Sequence, residues 1–214
     1  MIITYLGKQF FKVAQGDTVL AFNPTSKESK IGVLSRFGAD IALTTTNHPD
    51  YNGVENLSHG DTVPFVISGP GDYETKGIFI RGFMTESTLE GPNERASKKY
   101  INTIYSLVVD GINICFLGAL TDEKITAEVR EAIGTPDILF VPIAGGDILT
   151  AALAYKLAVS LEPKLIIPMD FPSTSSGQVS PQLKAFLKEA GEDKIEASEK
   201  LTIKKKDLEG KDAE

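Results

Sequence analysis

His48 and Asp50 could do metal or acid–base chemistry by type and spacing, within Thr45-Thr46-Asn47-His48-Pro49-Asp50-Tyr51-Asn52-Gly53. Two residues apart, they project to the same side if the segment is extended. An imidazole and a carboxylate so placed could ligate a metal ion or share a proton. The competing reading is a polar loop in which Asp50 caps a short following helix. A second candidate is Ala144-Gly145-Gly146-Asp147. If a helix follows directly, the free N–H groups of Gly145 and Gly146 could hold an anion; otherwise they form a turn and an N-cap. The polar run Ser173-Thr174-Ser175-Ser176-Gly177 could meet a phosphate, but no Lys completes a phosphate-loop pattern. Cys115 lies in an apolar strand beside Phe116 with no base in sequence reach, and reads as a small buried hydrophobe. His59, before Gly60-Asp61, reads as a surface residue in a turn, and no Gly-x-Ser-x-Gly nucleophile elbow occurs.

The elements that must position these groups change character midway. Ile2–Leu6, Phe10–Ala14, Thr18–Phe22, Asp40–Thr44, Val63–Ser68 and Ile78–Phe83 read as short strands, with turns at Gln15-Gly16-Asp17 and Gly69-Pro70-Gly71-Asp72. Met84–Tyr100 is polar without a regular period and reads as a surface loop. Thr103–Val109 and Ile112–Leu117 form a hairpin around Asp110-Gly111. Helices then alternate with strands. Thr121 caps a first helix with Asp122 and Glu123 in its opening turn, Ile125, Val129 and Ile133 on one face, and Gly134 at its end. Strand Ile138–Pro142, a helix from about Asp147 to Leu161, and strand Leu165–Met169 follow. A helix then starts at Ser180-Pro181 and stops at Gly191, with Leu183, Phe186 and Leu187 facing inward. This order implies an α/β protein of sheets covered by helices.

The 214 residues, 42% apolar and 24% charged, suit one sizeable folded unit. One domain is expected over residues 1–206, with 207–214 as a disordered acidic tail. The run Lys204-Lys205-Lys206 reads as a solvated strand end. Net charge is −7, from 22 basic against 29 acidic residues, which argues against nucleic-acid binding. No apolar run reaches the ~18 residues of a membrane helix, and the start lacks a basic region or cleavage site. The expected setting is cytoplasmic, with no membrane partner; one Cys excludes an internal disulfide.

Leu6-Gly7-Lys8-Gln9, Phe22-Asn23-Pro24, Thr45 to Tyr51, Asn102-Thr103-Ile104-Tyr105 and Ile114 to Ala119, taken in order, resemble the metallo-β-lactamase fold, and within it the small metal-dependent hydrolases related to ascorbate-6-phosphate lactonase. Leu6-Gly7-Lys8-Gln9 stands where that group has Leu-Gly-His-Ser, and Phe22-Asn23-Pro24 where it has Ile-Asp-Pro. Its Thr-His-x-His-x-Asp-His loop falls on Thr45 to Tyr51, and its Asn-Thr-Ile-Tyr strand is intact as Asn102-Thr103-Ile104-Tyr105. Its Ile-Cys-His-Leu-Gly-Asp run is matched by Ile114-Cys115-Phe116-Leu117-Gly118-Ala119. The Asp-Ile-Leu, Pro-x-Gly-Gly, Glu-Pro-Lys and Ile-Pro-Met-His pattern appears between Asp137 and Asp170. The resemblance implies a four-layer αββα sandwich and a pair of zinc or manganese ions that generate a hydroxide.

Carried over position by position, the resemblance also implies that the metal site is degenerate. The family's first loop His falls on Thr46 and the second on His48; its Asp falls on Asp50 and the next His on Tyr51. The bridging Asp falls on Ala119 and the last His on Asp170, while a further His has no counterpart. His48 would belong to one metal, Asp50 and Asp170 to the other. A catalytic zinc takes about three protein ligands and a water, so no complete site is left. Two outcomes stay open. One is a catalytically inactive, metal-free homologue that binds a small ligand or protein in a cleft bordered by Lys8, Thr46, Tyr51, Ala119, Gly145 and Gly146. There the Lys8 ammonium could pair with Asp50 or Asp170 in place of the metal. The other is a hydrolase of an ester, lactone or phosphodiester with one divalent ion (zinc, manganese or magnesium) on His48, Asp50 and Asp170. Asp50 and Asp170, with Glu86 or Asp147 nearby, could also form an oxygen-rich pocket for magnesium, manganese or calcium.

Overall fold

The computed structural model describes residues 1–30, 35–90, 97–172, 179–192, 195 and 197–214. The chain starts with strands β1 (Ile2–Tyr5), β2 (Phe11–Gln15) and β3 (Thr18–Phe22), joined as antiparallel neighbours. β4 (Ile41–Leu43) and β5 (Phe65–Ile67) add in parallel, and β12 (Lys200–Thr202) pairs with the free side of β1. The first sheet therefore runs β12-β1-β2-β3-β4-β5. The second collects β6 (Gly71–Thr75), β7 (Ile78–Glu90), β8 (Ser97–Val109) and β9 (Ile112–Phe116) as antiparallel neighbours. β10 (Ile138–Pro142) and β11 (Leu165–Met169) continue it in parallel, giving the order β11-β10-β9-β8-β7-β6.

Alternation decides which faces meet. Phe11, Val13, Leu20, Phe22, Ile41 and Leu43 of the first sheet pack against Ile80, Tyr105, Leu107, Ile114, Phe116 and Phe140 of the second. The rings interlock: Phe140 lies edge-on to Phe11 at 4.8 Å, and Phe22 stacks on Phe116 at 4.9 Å. The opposite face of the second sheet carries Ile104, Cys115, Leu139 and Val141. These are covered by α1 (Ala127–Ile133), α2 (Ala151–Ser160) and α3 (Pro181–Ala190) through Ile133, Leu157 and Phe186. The outer face of the first sheet, with Phe10, Ala21 and Ala42, is covered by Ala39 and Leu57. Among the described residues that cover is loop and a one-turn 3-10 helix, Val54–Asn56, rather than an α-helix. No described helix is long and apolar enough to cross a membrane.

Several expectations need correction. Met84–Tyr100 is not a surface loop, because its described residues lie in the long arms of the β7–β8 hairpin, registered from Ile80↔Leu107 to Glu90↔Ser97. Its period of two is hidden from a hydrophobicity reading: Ser87 and Leu89 face inward, whereas Met84 and Ile101 face solvent. Gly71-Asp72, read as a turn, begins β6. The first helix is capped by Thr126, whose side chain accepts from the Val129 N–H, so Thr121 lies outside it. α2 begins after its own cap Thr150, later than expected. Ser180, Pro181 and Gly191 act as expected on α3, where Gly191 takes the left-handed conformation (φ 74°). Residues 207–214 are not a loose tail: Leu208 is buried in the main core. The Ala213 N–H donates to the Pro163 carbonyl (2.8 Å) and the Ile166 N–H to that of Glu214 (2.7 Å). The exposed edge of β11 gains partners this way.

Phe140→Ala removes the ring shared by Phe11, Phe22 and Phe116. It should destabilise the fold by about 3–5 kcal/mol without changing the denaturant slope, as read by urea unfolding.

Candidate functional site

The β1–β2 hairpin turns through Gly7 (φ 109°) and Lys8 (φ 53°), closed by the Phe10 N–H donating to the Gly7 carbonyl (2.8 Å). That turn delivers Lys8 and Gln9 to the end of the sandwich where the loop after β4 arrives. The loop is folded tightly rather than extended: the His48 N–H donates to the Thr46 carbonyl and the Tyr51 N–H to that of His48. It is also stitched to the segment after β3 at Gly53, whose N–H donates to the Pro24 carbonyl (2.7 Å). A Cβ on Gly53 would lie 2.2 Å from the Thr25 and Ser26 backbone, so only glycine admits that approach. Asp170, directly after β11, completes the group; its N–H donates to the Lys8 carbonyl at 2.8 Å.

Lys8, His48, Asp50, Tyr51 and Asp170 therefore do converge, and each polar group has a protein partner. The Lys8 ammonium forms an ion pair with Asp50 Oδ2. It also lies 4.9 Å from the centre of the Tyr51 ring. Asp50 Oδ1 accepts from Ser29 Oγ at 2.5 Å. Asp170 Oδ2 accepts from Gln9 Nε2 (2.5 Å) and from the Tyr51 hydroxyl (3.0 Å). His48 Nδ1 accepts from the Asp50 backbone N–H (3.2 Å), so the ring proton is on Nε2, which donates to the Glu90 carbonyl (3.2 Å). Asp50 does not cap the following 3-10 turn, whose N-cap is Gly53.

Burial sets the electrostatics. It pulls the His48 imidazole below its ordinary value against the opposing charge of Asp50, so the ring is neutral. Burial would raise the Asp50 carboxyl, but Lys8 and the Ser29 hydroxyl outweigh it and hold the group below the usual carboxylate range. At Asp170, 4% exposed, burial wins over Lys8, Gln9 and Tyr51 and raises the carboxyl. Burial and the charge of Asp170 push the Tyr51 phenol well up, so it is a standing donor.

The remaining positions close the centre with apolar or unrelated contacts. Ala119 is buried in a cluster with Tyr51, Leu89 and Ile148 where a carboxylate would be needed. Thr46 Oγ1 donates to Asn102 Oδ1 (3.3 Å), which also accepts from the Ala119 N–H (2.9 Å). Glu86 is exposed and paired with Lys99 (2.9 Å), and Asp147 accepts from Ser97 at the surface. Neither carboxylate reaches the centre. Gly145 is turned back on Leu149, its N–H donating to that carbonyl (3.0 Å), and α2 starts only at Ala151. Gly145 and Gly146 therefore form no helix-end anion site. Cys115 is buried, and burial pushes its thiol up to about 12. His59 is exposed, as expected. The Ser173–Gly177 run lies outside the described residues.

The donor set does not fit a metal ion. Among the described residues no three His, Cys, Asp or Glu side chains group as a cage. Of the candidate ligands, Asp50 faces an ammonium, Asp170 accepts two neutral donors, and both nitrogens of His48 are engaged. A cation on Asp50 would have to displace Lys8 or share the site with a like charge.

Two roles were not evident beforehand. Gln9 is fully buried and bridges Asp170 to Asn23, whose Nδ2 donates to Gln9 Oε1 (2.7 Å). Asn102 joins the sheets' ends through Thr46, Ala119, Thr85 and the Leu117 carbonyl. Gly118 (φ 64°) makes room for it, since a Cβ there would lie 2.5 Å from Asn102 Oδ1.

A family model described as "Beta-lactamase superfamily domain" matches residues 2–170. Among solved structures, a Thermotoga maritima protein of the metallo-beta-lactamase superfamily is 24% identical, with 87% of this chain and 84% of that one covered and a TM-score of 0.66. A metallo hydrolase from the archaeon Ignicoccus hospitalis is 18% identical, with 95% and 99% covered and a TM-score of 0.62. An isothiocyanate hydrolase from Delia radicum gut bacteria is 12% identical over 95% and 99%, also at 0.62. At these identities the likeness is one of fold. No curated protein matches the sequence.

Lys8→Met strands the Asp50 carboxylate and should destabilise the protein by about 3 kcal/mol at pH 7. The deficit should shrink toward pH 4 as Asp50 takes up a proton, and adding Asp50→Asn should recover part of it. Urea midpoints at the two pH values read this. Asp170 has the opposite sign. Its folded value is raised, so the folded state binds the proton more tightly, and stability is lost as pH rises through the window above the unfolded value. Asp170→Asn keeps an acceptor for Gln9 and Tyr51; its midpoint should exceed wild type at pH 7 and match it near pH 3, where, on a typical unfolded value of about 3.9, both states are protonated.

Proposed function

The chain belongs to the beta-lactamase superfamily, and from that premise we propose that it is a catalytically inactive homologue that needs no metal and serves in recognition of a small ligand or protein. One observation carries the reading: the Lys8 ammonium is paired with Asp50, the carboxylate that a second metal would require. Tyr51 and Gln9 supporting Asp170, and Ala119 and Ile148 in the apolar fill, add to it. Fold by itself confers no chemistry once its reactive groups are replaced. The recognition surface in this reading is the mouth of the filled centre, where Lys8 keeps 16% of its side chain exposed and His48 packs edge-on against Tyr100 (5.8 Å).

Metal content by mass spectrometry tests the reading on untagged protein grown with zinc and manganese and purified without chelator. We expect trace metal and a melting temperature unmoved by added zinc, manganese or magnesium. Ester, lactone and phosphodiester substrates should turn over no faster than with Lys8→Met. Near-stoichiometric metal that vanishes in both Asp50→Ala and Asp170→Ala would instead establish the mononuclear hydrolase.

A further inference from the structure

At one end of the sandwich the two sheets part: β12 borders the first and β11 the second, and α3 crosses the opening. Between them lies an apolar cavity of about 450 Å³. That volume falls within the roughly 300–1,000 Å³ of small-molecule sites. Tyr5, Phe11 and Phe171 make an aromatic floor, with the Tyr5 ring 5.1 Å from Phe11 and 5.4 Å from Phe171. Leu183, Phe186 and Leu187 of α3 form the roof.

Two features narrow the occupant. Along β11 the edge backbone is already satisfied: Ala213 and Glu214 pair with Pro163 to Ile166, and Pro168 has no N–H to offer. The β11 side of the wall therefore presents side chains rather than free N–H groups for a peptide to pair with. The charged groups among the described lining residues are all acidic, and since Glu214 is ion-paired with Lys211 the negative character of the rim rests on Glu192 and Glu199, on a chain of net charge −7. An anionic amphiphile would meet like charge at the rim, whereas a neutral or cationic one would not. We propose that this cavity binds a compact neutral or cationic molecule with an aromatic or alkyl body. The inference stands apart from the reading of the Lys8–Asp50 centre, since no candidate metal position lines the cavity.

Titration of the full chain with neutral N-phenyl-1-naphthylamine and with anionic 1-anilinonaphthalene-8-sulfonate tests it. The neutral probe should bind saturably at about one site per chain, and the anionic probe about tenfold more weakly, a difference of about 1.4 kcal/mol. Ala190→Phe and Val179→Phe, each filling the cavity from a different side, should weaken the neutral probe by about tenfold while keeping a cooperative melting curve. Amide shift mapping on wild-type protein locates the probe without any substitution, and should centre on Leu183, Leu187 and Leu201. Absence of saturable neutral-probe binding, a preference for the anionic probe, or shifts centred on His48 and Tyr100 would overturn the proposal.

Discussion

Two carboxylates, Asp50 and Asp170, are buried at the end of the sandwich, and a buried charge must be paired or given up. The two are handled differently. Asp50 receives a full countercharge from Lys8 and a hydroxyl from Ser29, so ionisation is favoured. Asp170 is buried more completely, and the neutral donors Gln9 and Tyr51 together with the nearby Lys8 do not offset that burial, so its proton is held more tightly. The hairpin turn at Gly7-Lys8, the tight loop Thr45–Gly53 and the end of β11 must meet closely for this division to work. The Asp170 N–H bond to the Lys8 carbonyl fixes that meeting in the backbone itself.

Around this pair lies a second tier of polar contacts that closes the end of the sheets. Asn23 donates to Gln9 and to Thr45 and accepts from the Thr45 N–H, so one side chain ties the ends of β2, β3 and β4. Asn102 does the same for β7, β8 and β9. Buried polar networks stabilise only when their members are satisfied. Here the side chains that could have faced an ion instead face one another, and Tyr51 with Ala119, Leu89 and Ile148 fills the adjoining space.

How much of this was legible depended on sequence distance and on how hydrophobicity was distributed. β1, β3, β10 and β11 were plain, because alternating or wholly apolar runs end at Gly, Pro or Asn. Ile78–Phe83 and Thr103–Val109 were read as strands, but the outer arms of β7 and β8 were not, because Ser87 points inward and Met84 and Ile101 outward, reversing the signal. The Thr-Asp-Glu at 121–123 offered the same capping chemistry as Thr126 with Glu128, so local sequence did not decide between the two starts. His48 and Asp50 were visible from local spacing. The Lys8–Asp50 pair could be anticipated only as one of two options, and Gln9 with Asp170, 161 residues apart, required the hairpin to be built first.

A lysine is an unequal substitute for a metal ion in one respect that matters for the chemistry. Its ammonium supplies positive charge and three donors, which suffice to neutralise Asp50 and face the Tyr51 ring. It offers no empty coordination position, so it cannot bind a water and lower that water's pKa, the step on which metal-assisted hydrolysis rests. In the reading proposed above, the charge balance that folding demands is met by a group that leaves the hydrolytic demand unmet. Restoring an ion would require more than new ligands at Thr46, Tyr51 and Ala119. While Lys8 stays in place, each added cation raises the cost of the next, and removing Lys8 first exposes Asp50 to the full penalty of burial. The two arrangements are alternatives, and the proposed reading assigns the hydrogen bonds at Asp170 and His48 to the one without the ion.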